Sequence, residues 1–444
     1  MPALLLDPAR RERLTRSPRR AAFYCGAAAS LNADLAQRGA PLIVRRGAAS
    51  AAVKRLARQA RAATVVWAAE YDAASAARHR ALQADLEEAG LRALIVHDAP
   101  VVAPEDAAST RSADGGAGYR AFVPYVNAWK ESLRVPFEAR PPFVAAGIES
   151  EPLPTASEFG ASASAEPPSE SSASAILEAF LAGPVLHYLT ARNVPAEPTS
   201  ELSAHLAFGT ISARTIVARL EQRARDRFLL AEERLSLEAF RRALALRDFF
   251  LQLAWFFEAH PDEALQERMR HFPFARKHAG LGAWLEGRTG YPLVDAGIRE
   301  LAATGRMHPR ARAVAASFLC FDLGVDWRVG RDAWDRLLVE DEPALATGNW
   351  QWIAGVGADL AQFPRVYNPR KQARTLDPRG IYVRRWIPEI AALPPGFGTP
   401  ARIGAPQLTL PLFAAPSYPA PILDHEEAAR EFLRRYVEFV ATKR

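Results

Sequence analysis

Three hydroxyl side chains are concentrated at the start of one predicted helix. Thr199, Ser200 and Ser203 begin the segment TSELSAHLAFGTISAR, which then becomes apolar. A helix N-terminus presents unpaired backbone N–H groups and a partial positive charge, so added hydroxyl donors make this position suitable for a phosphate or pyrophosphate. Tyr188 and Arg192, one helical turn apart, add a phenol and a cation. The alternative is ordinary helix capping, for which Ser and Thr are common.

The composition is that of a globular protein with a basic charge. The chain has 444 residues, of which 49% are hydrophobic and 24% charged, and its net charge is +6. This length is enough for two or three domains. The isoelectric point of about 9.5 suits a polyanionic partner such as a nucleic acid.

The two cysteines and the apolar runs exclude several classes of protein. Cys25 and Cys320 lie far apart, which excludes a disulfide framework, an iron–sulfur cluster and a Cys-based zinc site within the chain. A chain with so few cysteines is typical of a protein from the reducing cytoplasm. No apolar run approaches the ~20 residues needed to cross a bilayer, and the start has no signal peptide pattern. We therefore expect a cytoplasmic protein without a membrane partner.

The first third of the chain has the pattern of an α/β domain. Short apolar runs lie at 3–7, 41–44, 64–68 and 92–97. Helical stretches separate them, near 19–38, 50–62 and 73–89. Short apolar runs between helices are typical of parallel strands buried on both faces, and right-handed crossovers join such strands into an open sheet. We predict an α/β domain over residues 1–137.

Two further regions follow this domain. Residues 138–175 are rich in Pro, Ser, Ala and Glu and predict a semi-extended or disordered linker, because they have little to bury. From residue 176 to 444 the pattern is helical and lacks strand signals. Gly305 is placed to end one helix and Pro309 to begin the next. The sequence thus predicts a second, all-α domain over 176–444.

Long segments of the helical region resemble the DNA photolyase/cryptochrome family. They are HYLTARNVPAEPTSELSAHLAFGTISAR, WLEGRTGYPLVDAGIRELAATGRMHPRARAVAASFLCFDLGVDWRVG, GNWQWIAGVGADLAQFPRVYNPRKQARTLDPRGIYVRRWIPEI and YPAPILDHEEAAR. Together they cover nearly all of 176–430 in order and spacing. The resemblance implies an α/β domain followed by an all-α FAD-binding domain, in a monomer that binds damaged DNA. In DNA photolyases, light-excited reduced FAD gives an electron to a flipped-out pyrimidine dimer, whose cyclobutane ring then splits.

The resemblance places the cofactor contacts at ten positions. Those that match phosphate-binding positions, or the Arg that reaches the flavin diphosphate, are Tyr188, Thr199, Ser200, Leu202, Ser203 and Arg247. Arg312 and Glu340 match a salt-bridged pair beside the flavin ring, for which a purely structural ion pair is the alternative. Glu340 and Glu342 replace the usual Asp, so each carboxylate lies one methylene further out. Ala346 matches the position facing flavin N5.

Aromatic residues match the family's electron-transfer chain. Trp350 and Trp327 have the expected spacing from flavin towards the surface, and Phe274 occupies the third, outermost position. Phe is much harder to oxidise than Trp, so we expect either slow photoreduction or an exit through another aromatic residue such as Trp334. The alternative for each Trp is a core side chain.

Other residues match the contacts to DNA. Trp352 corresponds to the Trp that stacks on the flipped dimer, an interaction worth roughly 1–3 kcal/mol per base. Arg192 and Arg310 correspond to positions that contact DNA phosphate or the lesion. The alternative for each Arg is a solvated surface residue.

The rest of the lesion pocket departs from the family. Ala243 replaces a Glu that hydrogen-bonds the dimer, and Leu246 replaces a Trp that packs against it. Pro309 stands where Asn is usual, Arg306 where Trp is usual, and Ala346 where photolyases have Asn and plant or insect cryptochromes have Asp or Cys. The pocket is therefore less polar than that of a typical photolyase, and polar partners are what give such pockets their discrimination.

Two other regions depart as well. Ala74 and Ser75 stand where folate-antenna photolyases use Asn and Glu, which weakens the case for a folate antenna. The chain opens at what is the family's second strand. Loss of the first strand, which is central in the family's sheet, would leave its two neighbours to pair directly or leave a gap. A misassigned start site is the first explanation, and a remodelled domain is the alternative.

Three functions fit these observations. The first is a light-driven photolyase for pyrimidine dimers in DNA, a carbon–carbon lyase. The second is a repair-deficient cryptochrome-like photosensor or redox flavoprotein, which the changes at Ala243, Leu246, Pro309 and Ala346 favour. The third is a nucleic-acid-binding protein without flavin, which absence of yellow colour on purification would favour.

Overall fold

The computed structural model describes residues 1–108, 118–134, 147–257, 262–358, 363–391 and 418–442. The chain divides into two compact units. The first comprises Met1–Leu186, Ser200–Pro261 and Leu338–Leu345, and the second comprises His187–Thr199, Asp262–Leu337 and Ala346–Arg444. The domain boundaries at 137 and 176 stay a prediction.

The described residues contain four strands and are otherwise mostly helical. The strands are β1 (Ala3–Leu6), β2 (Ile43–Arg46), β3 (Thr64–Ala68) and β4 (Arg92–Val96). The helices up to the middle of the chain are α1 (Pro8–Arg16), α2 (Pro18–Gln37), α3 (Ala49–Ala60), α4 (Ala73–Glu88), α5 (Pro104–Ala108), α6 (Phe122–Glu131), α7 (Glu170–Ala182), α8 (Tyr188–Ala191), α9 (Ser203–Phe208), α10 (Ala213–Ala224) and α11 (Ala231–Phe257). Those that follow are α12 (Leu281–Leu285), α13 (Pro292–Thr304), α14 (Pro309–Ser317), α15 (Trp327–Asp335), α16 (Pro343–Ile353), α17 (Pro369–Leu376), α18 (Ile381–Trp386), α19 (Pro388–Ala391) and α20 (His425–Ala441).

The strands of the first unit form two separate parallel pairs. β1 pairs with β2, with Ala3 opposite Ile43, and β3 pairs with β4, with Thr64 opposite Arg92. The α/β class and the four strand positions are confirmed. The prediction that all strands are buried on both faces is wrong. Val66 of β3 is 56% exposed, whereas Val44 of β2 is fully buried.

The first two helices begin at caps that the sequence provides. Asp7 accepts a hydrogen bond from the Arg10 backbone N–H at 2.7 Å and starts α1, a helix that the sequence analysis did not predict. Ser17 ends α1 and caps α2, and a proline occupies the first position of both helices. This tight connection brings several arginines of α1 and α2 onto one side of the unit.

Part of the predicted linker is packed. Within residues 138–175, those from 147 onward are described, and they include a 3-10 turn at Ala156–Phe159 and the start of α7 at Glu170. Phe159 is buried in a cluster with Leu6, Leu14 and Cys25. Residues 138–146 of the predicted linker lie outside the described part of the chain.

The second unit is helical, as the sequence predicts. α13 ends at Gly305, whose φ of 73° is the left-handed conformation that glycine adopts easily, and α14 begins with Pro309. A π-helical turn at Phe318–Asp322 follows α14, and Asp322 pairs with His425 of α20. In the described residues no single helix is long and apolar enough to cross a membrane, although the bent pair Glu170–Ala182 and Pro184–Ala191 passes this test by length and composition alone.

Candidate functional site

Ser200 and Ser203 of the hydroxyl-rich segment lie at the start of α9 in the first unit, and Thr199 belongs to the second unit. Leu202 is the N-cap residue and makes no side-chain capping bond, so Ser203 occupies the first turn of the helix rather than the cap. The Ser203 hydroxyl donates to Glu340 Oε1 at 2.9 Å. Glu201 has a φ of 54°, a conformation that costs a non-glycine residue roughly 1–2 kcal/mol and that recurs at ligand sites. Ordinary capping therefore does not describe Ser203.

Arg247 of α11 lies in the first unit and is nearly buried. Its guanidinium donates to Glu342 Oε1 at 2.6 Å and to the Ala99 carbonyl at 2.7 Å. Burial raises the pKa of Glu342, although the charge of Arg247 opposes the shift. Ala243 and Leu246 lie on the same helix and are half-buried. One helix thus carries the predicted flavin-side arginine and two of the predicted lesion-pocket replacements.

Three of the predicted residues come together in the second unit. The Arg192 guanidinium lies 6.0 Å from the centre of the Tyr188 ring, as their spacing of one helical turn indicates. Arg310 donates to Asn193 Oδ1 at 2.7 Å, next to Arg192 in sequence. Burial raises the pKa of Tyr188, which keeps the phenol protonated. The role of Asn193 as a partner of Arg310 was not predicted. Its position directly after Arg192 was the one feature of the sequence that pointed to this site.

His308 is a further unpredicted residue beside the arginines of α14. It is the N-cap of α14, and its Nδ1 accepts from the Arg310 backbone N–H at 3.2 Å. Burial lowers the pKa of His308 to about 4, and the charges of Arg310 and Arg312 add to the shift. His308 is therefore neutral at pH 7, and Nε2 carries its proton. Arg312 donates to the Met307 carbonyl at 2.9 Å. Thr199 and Arg312 belong to the second unit and Glu340 to the first, so the pair Arg312–Glu340 stays a prediction.

Three tryptophans of the second unit are in ring contact. Trp350 lies 4.5 Å from Trp334 between ring centres, and Trp334 stacks on Trp284 at 5.9 Å with an angle of 12° between the planes. All three are buried. From the sequence, Trp334 was named only as an alternative to Phe274 for the outer step of electron transfer. Trp284 was not assigned a redox role, because it lies far from Trp334 in sequence and no local pattern indicates their contact.

The other two predicted electron-transfer residues have different surroundings. Trp327 is buried and has the guanidinium groups of Arg328 and Arg331 over its ring, at 4.7 and 5.2 Å. Among the described residues it has no aromatic ring partner. Among the described residues, the ring contacts of Phe274 are with Phe272 and Phe432. The two guanidinium charges disfavour the positive charge that Trp327 would carry after giving up an electron. The ring contact of Trp350 is with Trp334 instead.

The remaining predicted residues lie on α16 and α4. Ala346 and Trp352 are half-buried on α16, and their roles toward flavin and lesion stay predictions. Ala74 and Ser75 begin α4. The Ser75 backbone N–H donates to Asp72 Oδ1 at 2.9 Å and its hydroxyl to Oδ2 at 2.5 Å, so this side chain is occupied in starting the helix.

Known proteins resemble the chain over nearly its whole length. Residues 240–438 match the family described as the FAD binding domain of DNA photolyase, and residues 1–142 match the family described as DNA photolyase. A deoxyribodipyrimidine photo-lyase of Streptomyces griseus is 38% identical over 426 residues, which cover 94% of this chain and 89% of that protein.

Two solved structures share the fold. A bacterial class III photolyase from Agrobacterium tumefaciens has a TM-score of 0.85 and 29% identity, covering 99% of this chain and 92% of its own. A cryptochrome of Synechocystis matches with a TM-score of 0.81 and 26% identity. The match covers 97% of this chain and 92% of the cryptochrome chain.

Proposed function

Because the chain belongs to the DNA photolyase/cryptochrome family, we propose that it is an FAD-dependent deoxyribodipyrimidine photolyase that splits pyrimidine dimers in DNA under blue light. The observation that carries this proposal is the match to a photo-lyase at 38% identity over 89% of that protein's length. We also propose that the protein acts as a cytoplasmic monomer, which sedimentation of the purified protein would test.

The donor set of the described residues fits FAD. Ser200 and Ser203 at the start of α9 offer hydroxyl groups, and the strained backbone at Glu201 lies between them. Hydroxyl and guanidinium donors are what a diphosphate requires. We therefore assign the phosphate contacts to the positions that the resemblance implies, namely Tyr188, Thr199, Ser200, Leu202, Ser203 and Arg247. We assign Arg312, Glu340, Glu342 and Ala346 to the flavin ring. When bound, FAD supplies the light-driven electron.

The chain's own task toward DNA falls to cationic and aromatic residues of the second unit. Arg192 and Arg310 each present a guanidinium group, and phosphate neutralisation by such groups makes binding weaken with salt. Trp352 is half-buried on α16 and offers a stacking face for a flipped base. The Asn193 amide holds Arg310 by a 2.7 Å hydrogen bond, which limits the directions in which that guanidinium can reach.

The deciding experiment is repair of a defined cyclobutane thymine dimer in an oligonucleotide under blue light. The flavin is reduced chemically beforehand, so that a slow internal electron route does not affect the result. We expect light-dependent loss of the dimer, and none in the dark. Absence of repair by flavin-loaded, reduced protein would refute the proposal.

A second candidate is a cryptochrome-like photosensor without repair activity. The feature that favours it is in the sequence, where Ala243, Leu246 and Pro309 replace the Glu, Trp and Asn that the family uses toward the lesion. Its 0.81 TM-score with a cryptochrome is compatible with either function. The variant Ala243→Glu with Pro309→Asn separates the two. If the wild type is inactive and this variant repairs the dimer, the pocket changes are the reason for the loss.

A further inference from the structure

Three consecutive acidic residues precede α16 and have different partners within the first unit. Glu340 accepts from Ser203 at 2.9 Å, and Glu342 accepts from Arg247 at 2.6 Å. Asp341 lies between them, and its side chain is only 3% exposed. Residues 340–342 are not helical. The partners of Asp341 differ from those of its two neighbours.

Asp341 is surrounded by arginines from the first two helices. Arg10 donates to Asp341 Oδ2 at 2.8 Å, and Arg13 donates from Nε to Oδ1 at 2.6 Å and from its terminal nitrogen as well. Arg20, which is fully buried, lies 3.8 Å from Oδ1. Arg10 also pairs with Glu70. A single carboxylate thus anchors three guanidinium groups that lie more than 300 residues away in sequence.

The same two helices also hold the backbone just before Asp341. Arg20 donates to the Glu340 carbonyl at 3.2 Å, and the Ser17 hydroxyl donates to the Leu338 carbonyl at 3.1 Å. The connection between α1 and α2 therefore fixes both the side chain of Asp341 and the main chain that carries Glu340. A change at this connection moves the neighbouring carboxylates with it.

Electrostatics makes this arrangement necessary. Burial raises the pKa of Asp341, but the charges of Arg13, Arg10 and Arg20 outweigh it and hold the pKa below its ordinary value. Asp341 is thus ionised at neutral pH, and an ionised buried carboxylate is stable only when it is paired. The charge of Asp341 in turn adds to the rise in the pKa of Glu342. Its pairing with arginines limits the repulsion among the three acids.

We propose that Asp341 is a positioning residue for flavin binding, which acts by holding Glu340 and Glu342 in their orientations through its ion pairs with Arg10 and Arg13. This inference rests on the proposed function, which places Glu340 and Glu342 at the flavin ring. Asp341 itself needs no contact with FAD. Its effect passes through one peptide bond on each side.

The test is Asp341→Asn in the full-length protein, with FAD affinity and the flavin midpoint potential as readouts. We expect FAD affinity to fall by about ten- to a hundredfold, the range that outer-shell substitutions cost at metal sites. We expect the midpoint potential of the remaining bound flavin to move as well, because the orientation of two carboxylates has changed. Asp341→Glu, which keeps the charge, should restore the potential toward that of the wild type.

The matched control is Glu12→Gln, which removes an exposed ion pair with Arg16 on the same helix α1. It should leave affinity and potential unchanged. If Asp341→Asn does not fold, Arg13→Lys provides the same comparison, because it keeps the charge and loses the two-pronged contact.

Two results would overturn the inference, and they differ from failure of the proposed function. One is unchanged FAD affinity in Asp341→Asn. The other is a lower melting temperature with an unchanged midpoint potential, which is the signature of a purely structural ion pair. A wild-type protein that binds no FAD would instead refute the proposed function, and this inference with it.

Discussion

Gly330 of α15 is the position where adding one methyl group should disturb the tryptophan cluster. A Cβ atom at residue 330 would overlap the ring of Trp350 and the side chain of Leu319. Trp350 is 4% exposed and Leu319 is fully buried, so neither side chain has free space to move into. α15 packs this closely on Trp350 because residue 330 has no side chain. The same helix carries Trp334, the ring partner of Trp350.

Two effects of Gly330→Ala oppose each other. Replacing Gly by Ala within a helix stabilises it by about 1 kcal/mol. Overfilling a well-packed interior costs about 1–3 kcal/mol, and overlap with two buried side chains puts this site toward the upper end. The overlap therefore wins, and we expect a net loss of roughly 2 kcal/mol. For a unit of this size, that corresponds to a melting temperature lower by about 4–8 °C.

The measurement is thermal unfolding followed by circular dichroism, with the near-ultraviolet signal reporting on the tryptophans. Gly282→Ala is the matched control, because Gly282 also lies in a helix and a Cβ there would meet nothing within 4 Å. The control should be more stable than the wild type, by up to about 1 kcal/mol, and should keep its near-ultraviolet spectrum. If Gly330→Ala is as stable as Gly282→Ala, the close contact of α15 with Trp350 is wrong.

Three other predictions concern electron transfer, cofactor binding and pH. Trp334→Phe should slow photoreduction of the oxidised flavin more than Trp327→Phe does, because Trp334 is the ring partner of Trp350; the opposite order in a continuous-illumination assay would contradict this route. Ser200→Ala with Ser203→Ala should weaken FAD binding by at least about tenfold, because two hydroxyl donors to a charged group are lost, and unchanged flavin content after dialysis would count against the phosphate role. His308 has a folded-state pKa of about 4 against an ordinary 6.5, so the unfolded chain binds more protons and the free energy of unfolding falls as pH drops through this window. In His308→Asn, which keeps a cap residue, the free energy of unfolding should fall by roughly 3 kcal/mol less than in the wild type when the pH drops from 6.5 to 4. Urea unfolding at several pH values measures this, and the same pH dependence in both proteins would refute the prediction.

Local patterns in the sequence determined the positions of the strands and the ends of several helices. The four strands, the end of α13 at Gly305 and the start of α14 at Pro309 were predicted, because strand periodicity and helix caps depend on residues only a few positions apart. The proximity of Tyr188 and Arg192 followed from a spacing of one helical turn. Ordered motifs over residues 176–430 also indicated the family, which the comparisons confirmed.

Only the tertiary structure decided which distant residues meet. Nothing near Asp341 in sequence indicates that Arg10, Arg13 and Arg20 surround it, since those residues come from the other end of the chain. The contact of Trp350 with Trp334 depends on the close packing that Gly330 allows. The separation of the strands into two pairs depends likewise on which strands find partners. Such contacts depend on how separate segments pack, and a local sequence pattern carries no information about that packing.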